Sequence, residues 1–377
     1  MKLSCHQEKL NRGLAIVGRA VATRTTLPIT NNVLLATDNG GLKLVATNLE
    51  MAISCWIGAD IEEEGTITVP ARLLTEFVGS LPNEKINIAL SAQTKTLNLK
   101  CARFEAHIAG VDASEFPPIP GVDDGVHTQV DVEALRQGIN QVVFAAATEE
   151  SRPVLTGVSA RFEGETLTLA AADGFRLAVA TLPVTGAVAE TTEVIVPART
   201  LAELNRLMGE QEEPVDITIS PAKSQVLFKL KNAELVSQLV QGTFPNYQQL
   251  IPKGYETRII VSVDDFLRAT RTASIFARDG SGIVRLMVTP GTEAGPGKLS
   301  ISARSEEIGD DVGEIDATIE GDETKIAFNG KYLTDVLGVL KESQVALEVT
   351  NPSSPGLLRP VGSETYLHVV MPMFIQW

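Results

Sequence analysis

Apolar positions recur along this chain with two periods. Leu10, Leu14, Val17 and Val21 are spaced three and four residues apart, while Lys9, Arg12 and Arg19 fall on the opposite side of the wheel. That pattern predicts an amphipathic helix. Phe266, Ala273 and Phe276 against Arg268, Arg271 and Arg278 predict a second of the same kind. Elsewhere the period drops to two. Ile86-Asn87-Ile88-Ala89-Leu90, Leu167-Thr168-Leu169-Ala170-Ala171, Val215-Asp216-Ile217-Thr218-Ile219, Leu299-Ser300-Ile301-Ser302-Ala303 and Val345-Ala346-Leu347-Glu348-Val349 read as strands with one buried face.

These elements come in copies. Val69-Pro70-Ala71-Arg72 returns as Val196-Pro197-Ala198-Arg199, each time before a leucine-rich helical pattern and then an alternating strand. Residues 10–52 also lie on 135–177 without a gap. Leu10 meets Leu135, Gly13 meets Gly138, Pro28 meets Pro153, Val33 meets Val158, and Leu44 meets Leu169. Each stretch reads as helix, Pro-marked turn, strand, Gly-containing hairpin turn and strand; the turns are Asp38-Asn39-Gly40-Gly41 and Glu163-Gly164-Glu165. A fainter third copy opens at Val263-Asp264-Asp265-Phe266, as the second opens at Val132-Glu133-Ala134-Leu135. It puts Phe328-Asn329-Gly330-Lys331 where the others have Val-Pro-Ala-Arg. Repeats of one supersecondary unit are the primary fact about such a chain.

The Pro-rich segments Phe116-Pro117-Pro118-Ile119-Pro120-Gly121, followed by acidic Asp123-Asp124, and Phe244-Pro245-Asn246-Tyr247 through Pro252-Lys253-Gly254 punctuate the copies. The expected division is 1–121, 122–252 and 253–377. Each copy is expected to hold two helices and about eight short strands, an α+β unit whose helices cover one side of antiparallel sheets.

The 377 residues are 44% hydrophobic and 21% charged, which is globular rather than disordered. No apolar run approaches the roughly 20 residues of a membrane helix, and the N-terminus lacks a signal-peptide core. Cys5, Cys55 and Cys101 stand far apart and read as ordinary strand residues. A cytoplasmic protein is the expectation. The net charge of −15 argues against a nucleic-acid partner when taken alone. Local distribution matters more, and here the cations gather on helices: Lys9, Arg12 and Arg19, then Arg136 with Arg199 and Arg206, then Arg268 and Arg271. The acids Glu8, Asp131, Glu133, Asp264 and Asp265 sit at helix starts, where the dipole favours them. A solvated face explains one such helix; recurrence suggests a basic surface on an acidic protein.

No catalytic constellation emerges. His6, His107, His127 and His368 are isolated, and there is no phosphate-cradling glycine motif or nucleophile elbow. Glu62-Glu63-Glu64, Glu306-Glu307 and Asp310-Asp311 read as loop or strand-edge charge. No catalytic residue, metal or cofactor is therefore assigned. Ala172-Asp173-Gly174-Phe175-Arg176-Leu177-Ala178 carries a tight turn. The apolar tail Val369-Val370-Met371-Pro372-Met373-Phe374-Ile375-Gln376-Trp377 suits a last strand followed by an adaptable pocket wall.

Leu27-Pro28-Ile29, Val69-Pro70-Ala71-Arg72, Asp173-Gly174-Phe175-Arg176-Leu177-Ala178, Phe244-Pro245-Asn246-Tyr247 and Met371-Pro372-Met373, in this order on a three-copy chain, resemble the bacterial sliding clamps, beta subunits of the replicative DNA polymerase. The resemblance spans the whole length. It implies a DNA-clamp module repeated three times, helices inside and sheets outside, with a head-to-tail homodimer closing six modules into a ring around duplex DNA. It implies a non-catalytic processivity factor that tethers the replicative polymerase, the clamp loader, other polymerases and repair proteins through short peptides. Arg24 and Arg72 match DNA-contacting positions of the family, whereas Glu149 and Pro153 depart from it. The family's partner pocket maps to Leu155, Gly174, Phe175, Arg176, Leu177, Pro245, Leu250, Val369, Val370, Met371, Pro372 and Met373, with Arg152, Asn329 and Tyr332 beside it. Ala172, Gln249 and Phe374 depart from the familiar residues there. Ring closure would join Arg103 and Phe104 to Ile275 and Phe276 of a second copy. The alternative is a β-rich repeat scaffold that binds protein or carbohydrate without encircling DNA; a third class, an enzyme, lacks its residues.

Overall fold

The computed structural model describes residues 1–377 apart from 24, 123, 210, 278–281, 294 and 377. Arg24, Asp123, Arg278 and Trp377, singled out above, therefore lie outside the described residues. The first copy runs β1 (Lys2–His6), α1 (Gln7–Val17), β2 (Asn32–Asp38), β3 (Gly41–Thr47), β4 (Met51–Gly58), β5 (Asp60–Glu63), β6 (Thr66–Pro70), α2 (Ala71–Ser80), β7 (Lys85–Ser91), β8 (Thr96–Cys101) and β9 (Phe104–Ala109). The second runs β10 (Val126–Val130), α3 (Val132–Val142), β11 (Gly157–Ala172), β12 (Arg176–Pro197), α4 (Ala198–Leu207), β13 (Val215–Ile219), β14 (Gln225–Lys229) and β15 (Ala233–Gln238). The third runs β16 (Thr257–Ser262), α5 (Val263–Ala277), β17 (Ile283–Thr289), β18 (Gly297–Ser305), β19 (Gly309–Glu320), β20 (Thr324–Asn329), α6 (Gly330–Leu337), β21 (Gln344–Val349), β22 (Gly356–Pro360) and β23 (Tyr366–Val370).

The expected two helices per copy are present, and both Val-Pro-Ala-Arg stretches end a strand at proline and open a helix at alanine. In the third copy Asn329 does that work by capping: its Oδ1 accepts the backbone N–H of Lys331 at 2.9 Å. Two expectations need correction. The middle copy does not show eight short strands, because β11 and β12 run 16 and 22 residues. The turn expected at Glu163-Gly164-Glu165 is absorbed into β11, with Gly164 at φ +58°. Arg19 also stands beyond α1, in the 3-10 turn Gly18–Ala20 that follows it.

By contact density the chain forms two compact units, and the middle copy contributes to both. One holds Met1–Val132, Val184–Val188 and Arg199–Leu239; the other holds Glu133–Pro183, Ala189–Ala198 and Val240–Trp377. In the first unit, β5-β1-β7-β8-β9 make one antiparallel sheet. A second antiparallel run pairs β6-β2-β3-β4-β15-β14-β13-β10 in that order. In the second unit the antiparallel run is β20-β17-β18-β19-β16-β21-β22-β23-β12.

The core follows most of the sequence pattern; Val21, expected on the first stripe, lies beyond the 3-10 turn and is half-buried, as is Phe276 on α5. Leu10, Leu14 and Val17 are buried on α1, and Phe266, Ala273 and Ala277 on α5. α1 packs on α2 and on β4, while α5 packs on α6, β18 and β19. Gly13 and Gly138, aligned in the repeat, share a reason: a Cβ there would come within 2.8 Å of Leu44 and of Leu182 respectively. Each is a close approach of helix to sheet that a larger residue would push apart. Cys5, Cys55 and Cys101 are buried strand residues, and burial pushes the Cys5 thiol up to about 12 and Cys55 up to about 11.

Candidate functional site

The turn between β11 and β12 builds one wall of a groove. Gly174 takes φ +96°, a conformation that favours glycine. Asp173 Oδ1 accepts the backbone N–H groups of Phe175 at 2.8 Å and Arg176 at 3.0 Å, so the aspartate fixes the loop. Arg152 Nη2 donates to the Asp173 carbonyl at 3.1 Å. Beyond the turn, β12 pairs with β23 so that Arg176 opposes Val370 and Leu177 opposes Val369.

Together these place Ala172, Gly174, Phe175, Arg176, Leu177, Val369 and Met371 around a groove of about 830 Å³. Its other wall is Gln249 through Glu256 with Thr350, Ser354 and Pro355. Leu155, Ala172, Leu177, Phe244 and Val369 belong to one buried apolar cluster, with Tyr247 and Ile251 packed against it. Phe175, Leu250, Tyr255 and Met371 expose large apolar surface at this groove, and Phe374 does so on the tail. A contiguous exposed apolar surface with a few polar groups suits a peptide.

Of the residues expected at the pocket, Gly174, Phe175, Arg176, Leu177, Leu250, Val369 and Met371 line it, and Leu155 lies in the cluster beneath. Arg152, Pro245, Asn329, Tyr332, Val370, Pro372 and Met373 are outside its walls. Val370 is fully buried, and Met373 donates its backbone N–H to the Ala327 carbonyl at 2.7 Å. The sequence reading missed the wall from Ile251 to Glu256 and the one at Thr350, Ser354 and Pro355. Proline and glycine marked both stretches as loops, but nothing in them signalled which surface they would face.

Arg176 does more than line the groove. Its guanidinium pairs with Asp335 Oδ2 at 2.7 Å and Asp173 Oδ2 at 3.0 Å, and it donates to the Phe144 carbonyl at 2.6 Å. It also stacks 4.4 Å from the Tyr332 ring centroid and 5.3 Å from that of Phe144. With a side chain only 8% exposed, it is a structural tie between the Asp173 turn and α6. Beneath it, Tyr366 and His368 are buried, with the hydroxyl 3.3 Å from Nδ1. Burial first, and the Arg176 charge second, lower the His368 imidazole to about 3; burial raises the Tyr366 phenol.

The expected DNA-facing cations Lys9, Arg12, Arg19, Arg72, Arg199, Arg206, Arg268 and Arg271 are all exposed. Several are ion-paired: Arg72 to Glu76 at 2.8 Å, Arg268 to Asp265 at 3.7 Å, and Arg19 and Arg206 both to Glu203. Arg136 is half-buried and pairs with Glu133 at 3.0 Å. Among the described residues no cluster of three His, Cys, Asp or Glu side chains suits a metal ion, and no helix is long and apolar enough to cross a membrane.

The residues expected at ring closure sit at element edges. Phe104 opens β9, an edge strand, and is exposed; Arg103 beside it is exposed too. Ile275 is exposed on α5, and Phe276 is half-buried. Ile308 and Val312 also expose apolar surface, at the start of β19. They escaped sequence reading because acids surround them.

The same strand-to-strand joint occurs in both units. In the first, β15 pairs with β4, Ser237 opposite Met51, and Gln238 donates its backbone N–H to the Glu50 carbonyl at 2.8 Å. In the second, β23 pairs with β12, Val370 opposite Arg176, and Met371 donates to the Phe175 carbonyl at 2.8 Å. Asn48 Oδ1 accepts from Glu50 and Met51 as Asp173 does from Phe175 and Arg176. The side chains differ. Where the groove has Leu155, Ala172, Phe175 and Met371, the first joint has Thr30, Thr47, Glu50 and Gln238. Its backbone is duplicated and its apolar lining is not.

The chain's similarities agree with this geometry. Family models for the DNA polymerase III beta subunit match in order: the N-terminal domain at residues 1–120, the central domain at 129–246 and the C-terminal domain at 248–374. The beta sliding clamp of Bacillus subtilis is 32% identical over 383 residues, covering 99% of each chain. A crystal structure of the DNA polymerase sliding clamp from Bacillus subtilis superposes with a TM-score of 0.94 at 31% identity, over 100% of both chains. A sliding clamp from Pseudomonas aeruginosa, solved bound to griselimycin, gives a TM-score of 0.91 at 29% identity, again over 100% of both. With all three domains matched along its full length, this chain belongs to the DNA polymerase III beta subunit family, the beta sliding clamps.

Proposed function

We propose that two copies of this chain close head to tail into a ring around duplex DNA and tether replication proteins through the groove beside Gly174. As a family member the chain is a processivity factor, a subunit of the polymerase holoenzyme without catalysis of its own. The relatives do not favour a scaffold that leaves DNA unencircled.

The observation that carries ring closure is the repeated joint. The last strand of the second copy pairs with β4 and the last strand of the third with β12. By the same rule β9, the last strand of the first copy, belongs on the equivalent of β4 and β12 in a third copy, which is the first half of β19. Among the described residues β9 pairs only with β8, and Gly309–Ala317 of β19 pairs only with β18. Unlike ends that complete each other across two chains make a closed ring. Phe104 on one side and Ile275, Ile308 and Val312 on the other supply apolar surface for that contact. Arg103 and Phe276 flank it. The division into modules at 1–121, 122–252 and 253–377 draws support from the spans of the three family models.

Lys9, Arg12, Arg19, Arg72, Arg199, Arg206, Arg268 and Arg271, with Arg24 outside the described residues, are proposed as phosphate contacts. Such contacts hold a duplex without reading its sequence, so the ring slides. The acidic remainder, in a chain of net charge −15, discourages DNA from the outer surface. Partners, including the replicative polymerase subunit, the clamp loader and repair proteins, would dock an extended apolar peptide on Leu177, Leu250, Val369 and Met371, in the cytoplasm where the chromosome is. Arg152, Asn329, Tyr332, Pro245, Val370, Pro372 and Met373 frame that docking surface rather than wall it. Loading onto nicked circular DNA tests the reading. Linearising the DNA should release the protein, whereas retention indifferent to DNA ends would refute encirclement.

A further inference from the structure

On the second helix of every copy an acid follows the opening base by four residues: Arg72 and Glu76 on α2, Arg199 and Glu203 on α4, Lys331 and Asp335 on α6. That spacing sets both on one helix face. All three acids are engaged. Glu76 Oε1 accepts from Arg72 Nε at 2.8 Å. Asp335 Oδ2 accepts from Lys331 and from Arg176, each at 2.7 Å, and so ties α6 to the Arg176 network. Glu203 is the most enclosed, at 8% exposure. Its two oxygens still reach Arg206 Nη1 at 2.5 Å and Arg19 Nη1 at 3.4 Å, and those arginine side chains are 55% and 42% exposed.

We propose that Glu203, with Glu76 in the same role on α2, is an internal counter-ion that keeps phosphate contacts at Arg19, Arg206 and Arg72 weak enough for the protein to travel along DNA. The inference rests on the encircling reading above. A phosphate arriving at Arg19 or Arg206 meets a guanidinium whose charge is already shared with a seated carboxylate. That carboxylate is fixed by the fold and cannot leave as a salt ion does, so the weakening recurs at every phosphate passed. Without it, two full cations would each gain a phosphate and release a counterion, and each such release steepens the salt dependence. A ring held by topology gains nothing from tight contacts and loses speed to them.

The test tracks single full-length rings on stretched duplex DNA across about 50 to 200 mM salt. Glu203→Gln should slide several-fold more slowly than wild type, with a logarithmic salt dependence steeper by about two units, one for each phosphate gained. Adding Arg19→Gln and Arg206→Gln to it should restore wild-type speed or better, a rescue that a merely structural lesion would not show. Glu76→Gln, on an exposed pair, should slow sliding in the same direction, and it decides the matter alone if thermal melting shows Glu203→Gln to be unfolded. Wild-type mobility in both glutamine variants, or a triple variant that stays slow, would overturn the proposal. Failure of the wild type to stay on closed circular DNA would instead overturn the encircling reading.

Discussion

Met371 donates its backbone N–H to the carbonyl oxygen of Phe175 at 2.8 Å. The bond extends the β12–β23 ladder one residue past the strand and holds the Met371 side chain against the groove. Methionine there gives an adaptable apolar contact. Two residues on, the Met373 backbone turns to Ala327 and leaves the groove wall.

Met371→Ala should therefore weaken binding of a labelled clamp-binding peptide about tenfold, near 1.4 kcal/mol, while Met373→Ala costs less. Fluorescence anisotropy on both variants checks it. Equal losses would show that the tail acts as one surface and that these walls are misassigned.

Arg176 is committed to the fold before any partner arrives. Arg176→Met strands Asp173 and leaves Asp335 with Lys331 alone. Removing one member of an enclosed charge network costs roughly 3–5 kcal/mol, so the urea midpoint should fall markedly. Arg176→Lys should not rescue it, because an ammonium cannot span two carboxylates and a carbonyl between two rings. An unchanged midpoint would make Arg176 a pocket residue only.

His368 sets an acid limit. Its imidazole is held near 3 in the folded protein against an ordinary value of 6.5, by burial and then by Arg176. Tyr366 faces its Nδ1, and no acceptor meets its Nε2. The unfolded chain takes up a proton as the pH falls below 6.5, and the folded chain resists until about 3. Stability contributed by the neutral ring is thus whole above 6.5 and is lost through that window, by up to about 1.4 kcal/mol per pH unit. His368→Phe should flatten this part of the profile measured by thermal melting from pH 7 downwards; the same slope in the variant would assign the acid loss to other groups.

Phe104→Asp places a charge on the free edge of β9 beside the acids Asp310 and Asp311 expected opposite it. Sedimentation should show monomers for the variant and the proposed dimer for the wild type, with each chain still folded by circular dichroism. A dimer that survives both this change and Ile275→Asp would refute closure through these edges.

Much of this was legible in the residues. Val-Pro-Ala-Arg marked two helix starts to within two residues, since each helix opens at its alanine, and Leu10, Leu14 and Val17 of the expected stripe gave the buried side of α1. Helix spacing and capping are local, so a single chain displays them. The long β11 and β12 were not legible, because Gly164 at φ +58° and Gly186 at φ +88° stand inside them in a conformation that more often ends a strand. The far wall of the groove was hidden for another reason: it assembles from segments a hundred residues apart, joined by sheet register rather than by any motif. The four-residue spacing of Arg72 with Glu76 and Arg199 with Glu203 was visible in the sequence. Its meaning needed the distances, which show one carboxylate serving two arginines.

The polar lining of the first joint, Thr30, Thr47, Glu50 and Gln238 in place of Leu155, Ala172, Phe175 and Met371, limits how many clients the protein can serve. Of the two joints within each chain only the one beside Gly174 is greasy, so a closed pair of chains would offer two such grooves. Traffic on DNA would then be settled by competition for two berths: a repair polymerase gains the template when a resident lets go, and affinity for one small groove becomes the rule of precedence.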